Sequence, residues 1–203
     1  MTEPLLEPLL RQFRAQRVLR HIPPHSTLLD IGCGVSGRFL QSISHHIKQG
    51  VGVDFKVEPR KTGNIETLQL KLDHQLPFPD QSFEIVTMLA VLEHIEHEQA
   101  ILQEIYRVLI PNGKLILTVP SLWSQPILEF LAYRLKLVSE AEIRDHKRYY
   151  NRQKLKQSLV IQAGFQDFYH QYFQLGMNNF CTVVKKRSPP PKAPPLTIAF
   201  PNH

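Results

Sequence analysis

LLDIGCGVSGRFL (residues 28–40) contains, in order, an apolar run, a glycine-rich turn and the start of a helical pattern. Glycines at 32, 34 and 37 spell GxGxxG, and the next apolar run, GVGVDF (50–55), carries an acid at Asp54. A strand, a glycine turn and a helix N-terminus, followed by an acid one strand later, is the opening of a nucleotide-binding βαβ unit. The glycines alone do not say which nucleotide, because any ligand that must approach the backbone closely requires them.

Working outward, short apolar runs alternate with helical patterns from Thr27 onward. Strand candidates are 27–31, 50–54, 67–72, 83–88 and 114–119, with closing strands at 165–173 and 178–185. Most of the first five are near-continuous apolar runs, as expected of parallel strands covered on both faces. Between them Ile101, Leu102, Ile105, Val108 and Leu109 form one helical stripe, stopped by Pro111-Asn112-Gly113. A later helix starts after Asn151, buries Leu155 and Leu159, and ends at Gly164. The expectation is an α/β fold: a Rossmann-like, doubly wound, mostly parallel seven-stranded sheet with an antiparallel last strand. Residues 1–24 read as an N-terminal helix, 25–187 as the domain, and 188–203 as a proline-rich basic tail.

Asp30 discriminates between the nucleotides. In a dinucleotide site the turn receives a pyrophosphate, and a carboxylate two residues before the first glycine would face that anion. At about 4 Å and an effective dielectric near 20, the repulsion is roughly 4 kcal/mol. S-adenosylmethionine (SAM) has the opposite requirement, since it brings an ammonium that an acid beside the turn can hold while backbone N–H groups hold its carboxylate. An NAD-dependent oxidoreductase is thereby disfavoured.

With those residues on view, the chain resembles the class I SAM-dependent methyltransferases, in particular the small type 11 family, over roughly residues 25–186. GVGVDF (50–55), LDHQLPFPDQSF (72–83), FEIVTMLAVLEHI (83–95) and EIYRVLIPNGKLILTVPS (104–121) match its ordered motifs. The resemblance implies cofactor contacts from Asp30, Gly32, Cys33, Gly34, Asp54, Phe55, Asp73, His74 and Leu89. Asp54 would grip both ribose hydroxyls, Phe55 would lie against the adenine, and Asp73 would meet the adenine amino group. Ser36 stands where the family commonly has a third glycine. FKVEPRKTGN (55–64) is too short for the helix common there, and is expected to form at most a turn.

The expected reaction is transfer of a methyl group from SAM to a small-molecule acceptor by in-line displacement, leaving S-adenosylhomocysteine. No metal is called for. Where the acceptor is a hydroxyl, a base must take its proton, and the candidates are His146, within DHKRYY (145–150), and His94. Residues 121–150 are longer than a connection requires and are expected to form a lid over the acceptor. The alternative is a SAM-binding module without catalysis.

Charge and cysteines narrow the partners. Of the formal +6, Lys185, Lys186, Arg187 and Lys192 contribute four, and no acid follows Asp167. That is a basic tail on a nearly neutral body, which argues against a nucleic-acid face. Cys33 and Cys181 belong to no CxxC or Cys/His cluster, so no disulfide framework or structural zinc is expected. MTEPLLEPLL (1–10) lacks the basic start of a leader. The best apolar stretch, Ile127 to Val138, is interrupted by Glu129, Arg134 and Lys136, so no membrane span is expected. A cytoplasmic protein follows. The sequence leaves oligomeric state open.

Overall fold

The structure, a computed structural model, describes residues 7–127, 145 and 147–186. Helix α1 (Glu7–Leu19) precedes β1 (Thr27–Ile31), α2 (Arg38–Ser42), β2 (Gln49–Asp54), β3 (Arg60–Thr62), β4 (Ile65–Gln69) and β5 (Phe83–Leu89). A 3-10 turn (Leu92–His94), α3 (Glu98–Val108), β6 (Leu109–Pro120), α4 (Arg152–Lys156) with its π-helical continuation Gln157–Gln162, β7 (Gln166–Phe173) and β8 (Asn178–Val184) follow. Among the described residues the strands form one eight-stranded sheet in the order β3-β4-β2-β1-β5-β6-β8-β7. The pairs β4–β2, β2–β1, β1–β5 and β5–β6 are parallel. β8 inserts antiparallel between β6 and β7, as expected of the closing strand.

Side-chain alternation explains why helices cover both faces. Leu29, Ile31, Val86, Met88, Leu115 and Leu117 join one core with Ile101, Leu102, Ile105, Leu155 and Leu159. The intervening Leu28, Ile85 and Ile116 join a second core with Val18, Ile22, Phe39 and Leu40. Period-two strands with apolar residues at both parities bury two faces, so each face needs its own helical layer. Helix α1 is docked through Val18, through Arg17 donating to Gln171, and through Gln174 donating to Leu10 O (3.1 Å).

Two expectations need correction. The sheet has eight strands rather than seven, because 55–64 is more than a turn: Arg60–Thr62 folds back on β4 as an antiparallel edge strand around Gly63 (φ 58°). All three of its residues are exposed, so no burial pattern marked it. Likewise Pro111-Asn112-Gly113 does not terminate the preceding helix, which ends at Val108. The tripeptide lies inside β6, where the β5–β6 register shifts. Asn112 takes φ 65° there, and its N–H donates to Lys185 O (3.1 Å). The turn chemistry is real, but it serves as a bulge.

Candidate functional site

The carboxyl ends of β1, β2, β5 and β6 open on one rim, where an α/β sheet presents its ligands. The turn after β1 leans on β2: Gly32 and Cys33 N–H both donate to Val53 O (2.8 and 3.2 Å). Gly32 adopts φ 77°, and a Cβ built there would meet Val91 Cγ2 at 2.2 Å. Val91, just after β5, therefore closes onto the turn and fixes its height. Gly34 also has positive φ (69°), but open space surrounds its would-be Cβ. One glycine is packed and the next faces the crevice.

Asp54 folds over that turn. Its Oδ2 accepts from Gly34 N (3.0 Å) and its Oδ1 from Lys56 N (2.8 Å). Each carboxylate oxygen has a second lone pair, so the group can still accept from a diol. Phe55 beside it is 59% exposed, with the Lys56 ammonium 4.8 Å from its ring centroid.

Asp30 is buried, and its Oδ1 accepts from Thr87 Oγ1 at 2.6 Å. Thr87 stands opposite Asp30 in the β1–β5 register. Burial pushes the Asp30 carboxyl up to about 7, opposed by the Thr87 hydrogen bond and reinforced by the nearby Asp54 charge. The site thus holds an acid that gains from a cation brought next to it. Cys33 is buried with its Sγ over Gly52, and burial, then Asp30 and Asp54, raise its thiol to about 12. Its side chain packs the turn against the sheet, so any ligand contact from this position comes from its backbone. Leu89 is half-buried at the end of β5.

The remaining candidates lie on loops. Asp73 and His74 are exposed, 2.7 Å apart (Oδ1 to Nδ1). His94, on the 3-10 turn after β5, pairs its Nδ1 with Asp145 Oδ2 at 3.0 Å. Donation from Nδ1 to a carboxylate fixes the tautomer in which Nε2 carries the lone pair. His146 lies outside the described residues. Its neighbours dock onto the rim: Lys147 N donates to Glu93 O (3.0 Å), and Tyr150 N to Pro120 O (3.2 Å). Tyr150 is buried, with its hydroxyl donating to Glu98 Oε2 (3.1 Å), and burial followed by the Glu98 charge raises its phenol. Lys185 leaves the basic tail reading: it is buried and donates to Arg107 O and Leu109 O, capping α3. No helix among the described residues is long and apolar enough to cross a membrane.

The sequence reading missed Thr87, Val91 and Asp145. The first needed the cross-strand register and the second the crevice geometry. The third stood beside His146 in DHKRYY and was not matched to His94, fifty-one residues earlier.

Comparison with known proteins agrees with this geometry. A family model described as a methyltransferase domain matches residues 29–117, from β1 into β6. Over that stretch the chain is similar to the methyltransferase-domain family. A demethylmenaquinone methyltransferase of Symbiobacterium thermophilum is 33% identical over 118 residues, covering 52% of this chain and 46% of that protein. A demethylmenaquinone methyltransferase of Porphyromonas gingivalis is 25% identical over 80% of this chain and 76% of its own length. The chain thus spans less than half the length of the first of these relatives. A SAM-dependent methyltransferase structure from Aquifex aeolicus superposes with a TM-score of 0.62 at 16% identity, covering 84% of this chain and 89% of that one. At that identity the likeness establishes the fold.

Proposed function

We propose that the protein transfers a methyl group from SAM to a small-molecule acceptor and releases S-adenosylhomocysteine. The observation that carries the reading is the pairing of a buried, proton-hungry Asp30 with an Asp54 carboxylate clasped over an open Gly34. That donor set suits a ligand with an ammonium at one end and a ribose diol in the middle. It does not suit a pyrophosphate.

Bound SAM supplies an electrophilic methyl on a positively charged sulfur. The chain's own residues do the rest. Asp54 accepts from both ribose hydroxyls, and the Gly32–Gly34 backbone meets the amino-acid carboxylate. Asp30 meets the ammonium and is held ionised by it. Phe55 and Leu89 flank the adenine, while Asp73 and His74 lie towards its amino edge. Positioning of the acceptor supplies most of the acceleration, up to roughly 7–11 kcal/mol. His94, oriented by Asp145, takes the proton of an acceptor hydroxyl through Nε2, and His146 is the second candidate.

The two relatives act, by name, on demethylmenaquinone. A demethylated quinone in its reduced, hydroxyl-bearing form is therefore the favoured acceptor class, and loss of its hydroxyl proton would raise the nucleophilicity of the ring. Two buried free cysteines support a cytoplasmic location as part of this reading.

Calorimetry tests the cofactor. SAM and S-adenosylhomocysteine should bind while NAD does not, and Asp54→Ala should cost roughly 1.5–3 kcal/mol. An unchanged dissociation constant in a folded Asp54→Ala protein would overturn the assignment. Binding without methyl transfer to any quinol would leave the non-catalytic reading.

A further inference from the structure

The loop after β4 and the start of α3 bring three side chains to one point. Asp73 Oδ1 lies 2.7 Å from His74 Nδ1 and 3.7 Å from His97 Nε2. The two imidazoles stack with centroids 4.0 Å apart. One donor atom from each of the three residues falls within 4.8 Å of the others, and no second such group of His, Cys, Asp and Glu occurs among the described residues. All three are exposed, and His74 and His97 border a groove of about 450 Å³ that Glu96, Glu98 and Arg148 also line.

A surface ion pair would need only Asp73 and His74, and is worth about 0–1 kcal/mol. It does not account for His97, which reaches the same carboxylate oxygen from a different element and lays its ring on its neighbour's. Two imidazole nitrogens and one carboxylate oxygen facing a shared volume form a donor set for borderline divalent metals. Magnesium and calcium prefer all-oxygen shells. Nearby charge does not oppose a cation. Arg148 spends its guanidinium on the carbonyls of Ile95 and Glu96 and on Glu98 (3.6 Å), and Lys147 faces Glu96 (3.4 Å).

We propose that Asp73, His74 and His97 bind one divalent transition-metal ion of the zinc class, with water completing its coordination. The ion joins the loop after β4 to the N-terminus of α3, two elements that leave the same rim of the sheet. It engages Asp73 through Oδ1, which leaves Oδ2 for the adenine edge. The site goes beyond the methyl-transfer reading and does not depend on it, since transfer from a sulfonium needs no metal.

The test is a Co²⁺ titration of the untagged full-length protein, followed by visible absorption and repeated with Zn²⁺ as competitor. One cobalt per chain is expected, displaced by zinc, with affinity falling as the pH drops because imidazole must be deprotonated to ligate. His97→Ala and His74→Ala should each weaken binding by roughly tenfold or more, since even outer-shell changes at metal sites cost that much. His45→Ala should leave it unchanged. His97→Gln, with circular dichroism to confirm folding, guards against a collapsed α3 start. The SAM dissociation constant of His97→Ala should match the wild type. Substoichiometric cobalt, or equal affinity in the His74, His97 and His45 variants, would overturn the site. Failure of the wild-type protein to bind SAM while it binds cobalt would instead count against the cofactor assignment alone.

Discussion

The turn after β1 and the connection after β6 leave the same end of one sheet, but they are held in different ways. The β1 turn is clamped from beneath and above: its amides donate to Val53 O, Val91 covers Gly32, and Asp30 below it is tied to Thr87. The β6 connection is held at its two ends. Ser121 bonds Met177 O and Gly176 O, Leu122 N donates to Tyr150 O, and Asn179 Nδ2 donates to the same carbonyl (3.1 Å). Between those anchors Trp123 stands 78% exposed. The first arrangement follows from strand register and a few glycines, which suits a ligand that never varies. The second leaves side chains to be chosen one by one, which suits the acceptor side of the proposed reaction.

The largest effect expected from the clamped half is electrostatic. The Asp30 carboxyl lies near 7 in the folded protein against an ordinary value of 3.8. A raised carboxyl favours folding while protonated, so that contribution is complete below the unfolded value and is lost as the pH climbs through about 7. The full span is an upper bound of about 4 kcal/mol. Asp30→Asn should flatten the wild-type decline between pH 4 and 7 in denaturant melts of ligand-free protein. Saturating SAM should restore stability to the wild type at neutral pH and do less for the variant. Parallel pH profiles for the two proteins would show that Asp30 is not the buried acid of the site.

Gly32 and Gly34 sharpen the contrast within one turn. Gly32→Ala meets Val91 and a positive φ together, which should cost roughly 2–4 kcal/mol of stability. Gly34→Ala has only the backbone term, about 1 kcal/mol, because nothing lies within 4 Å of the new methyl. Its methyl projects into the crevice, so SAM affinity should fall more than stability does. Equal melting temperatures for the two variants would mean Val91 does not close the turn.

His94 carries the comparison to the acceptor side. His94→Ala should lower turnover by about 10²-fold and leave SAM affinity within about twofold, the pattern of a base acting only on the acceptor. Asp145→Asn should have a smaller effect and shift the pH profile, since it alters the tautomer of His94 without removing the ring. A fall in SAM affinity matching the fall in turnover would move His94 to the cofactor half.

The same division explains what could be read from the chain. The parallel strands were legible because apolar runs such as Leu28–Ile31 and Ile85–Met88 are buried on both faces. Asp30, Gly32, Gly34 and Asp54 could be singled out as one group, which the structure gathers at one rim, because their spacing is set by local order along the chain. The β3 edge strand was not, since its exposed residues satisfy only backbone bonds. Asn112-Gly113 misled because a bulge and a helix stop use the same residues. Thr87, Val91 and the Asp145–His94 pair depend on register and on contacts between distant segments, which no window along the sequence contains.

The smallest effect expected belongs to Tyr150, where the two halves can be separated most cleanly. Its hydroxyl donates to Glu98 and its backbone joins the β6 connection to β8 through Asn179. Tyr150→Phe keeps the ring in the core and removes one hydrogen bond to a carboxylate, a loss of about 1–2 kcal/mol. Arg148, 3.6 Å from Glu98, still offsets that charge, which keeps the cost at the low end. Because Tyr150 pins the end of the acceptor connection through bonds to Glu98, Pro120, Leu122 and Asn179, none of them assigned to SAM, the acceptor KM should rise while the SAM dissociation constant stays fixed. Equal movement of both constants would mean that the two halves respond as one body, and that the difference in how they are anchored does not carry through to binding.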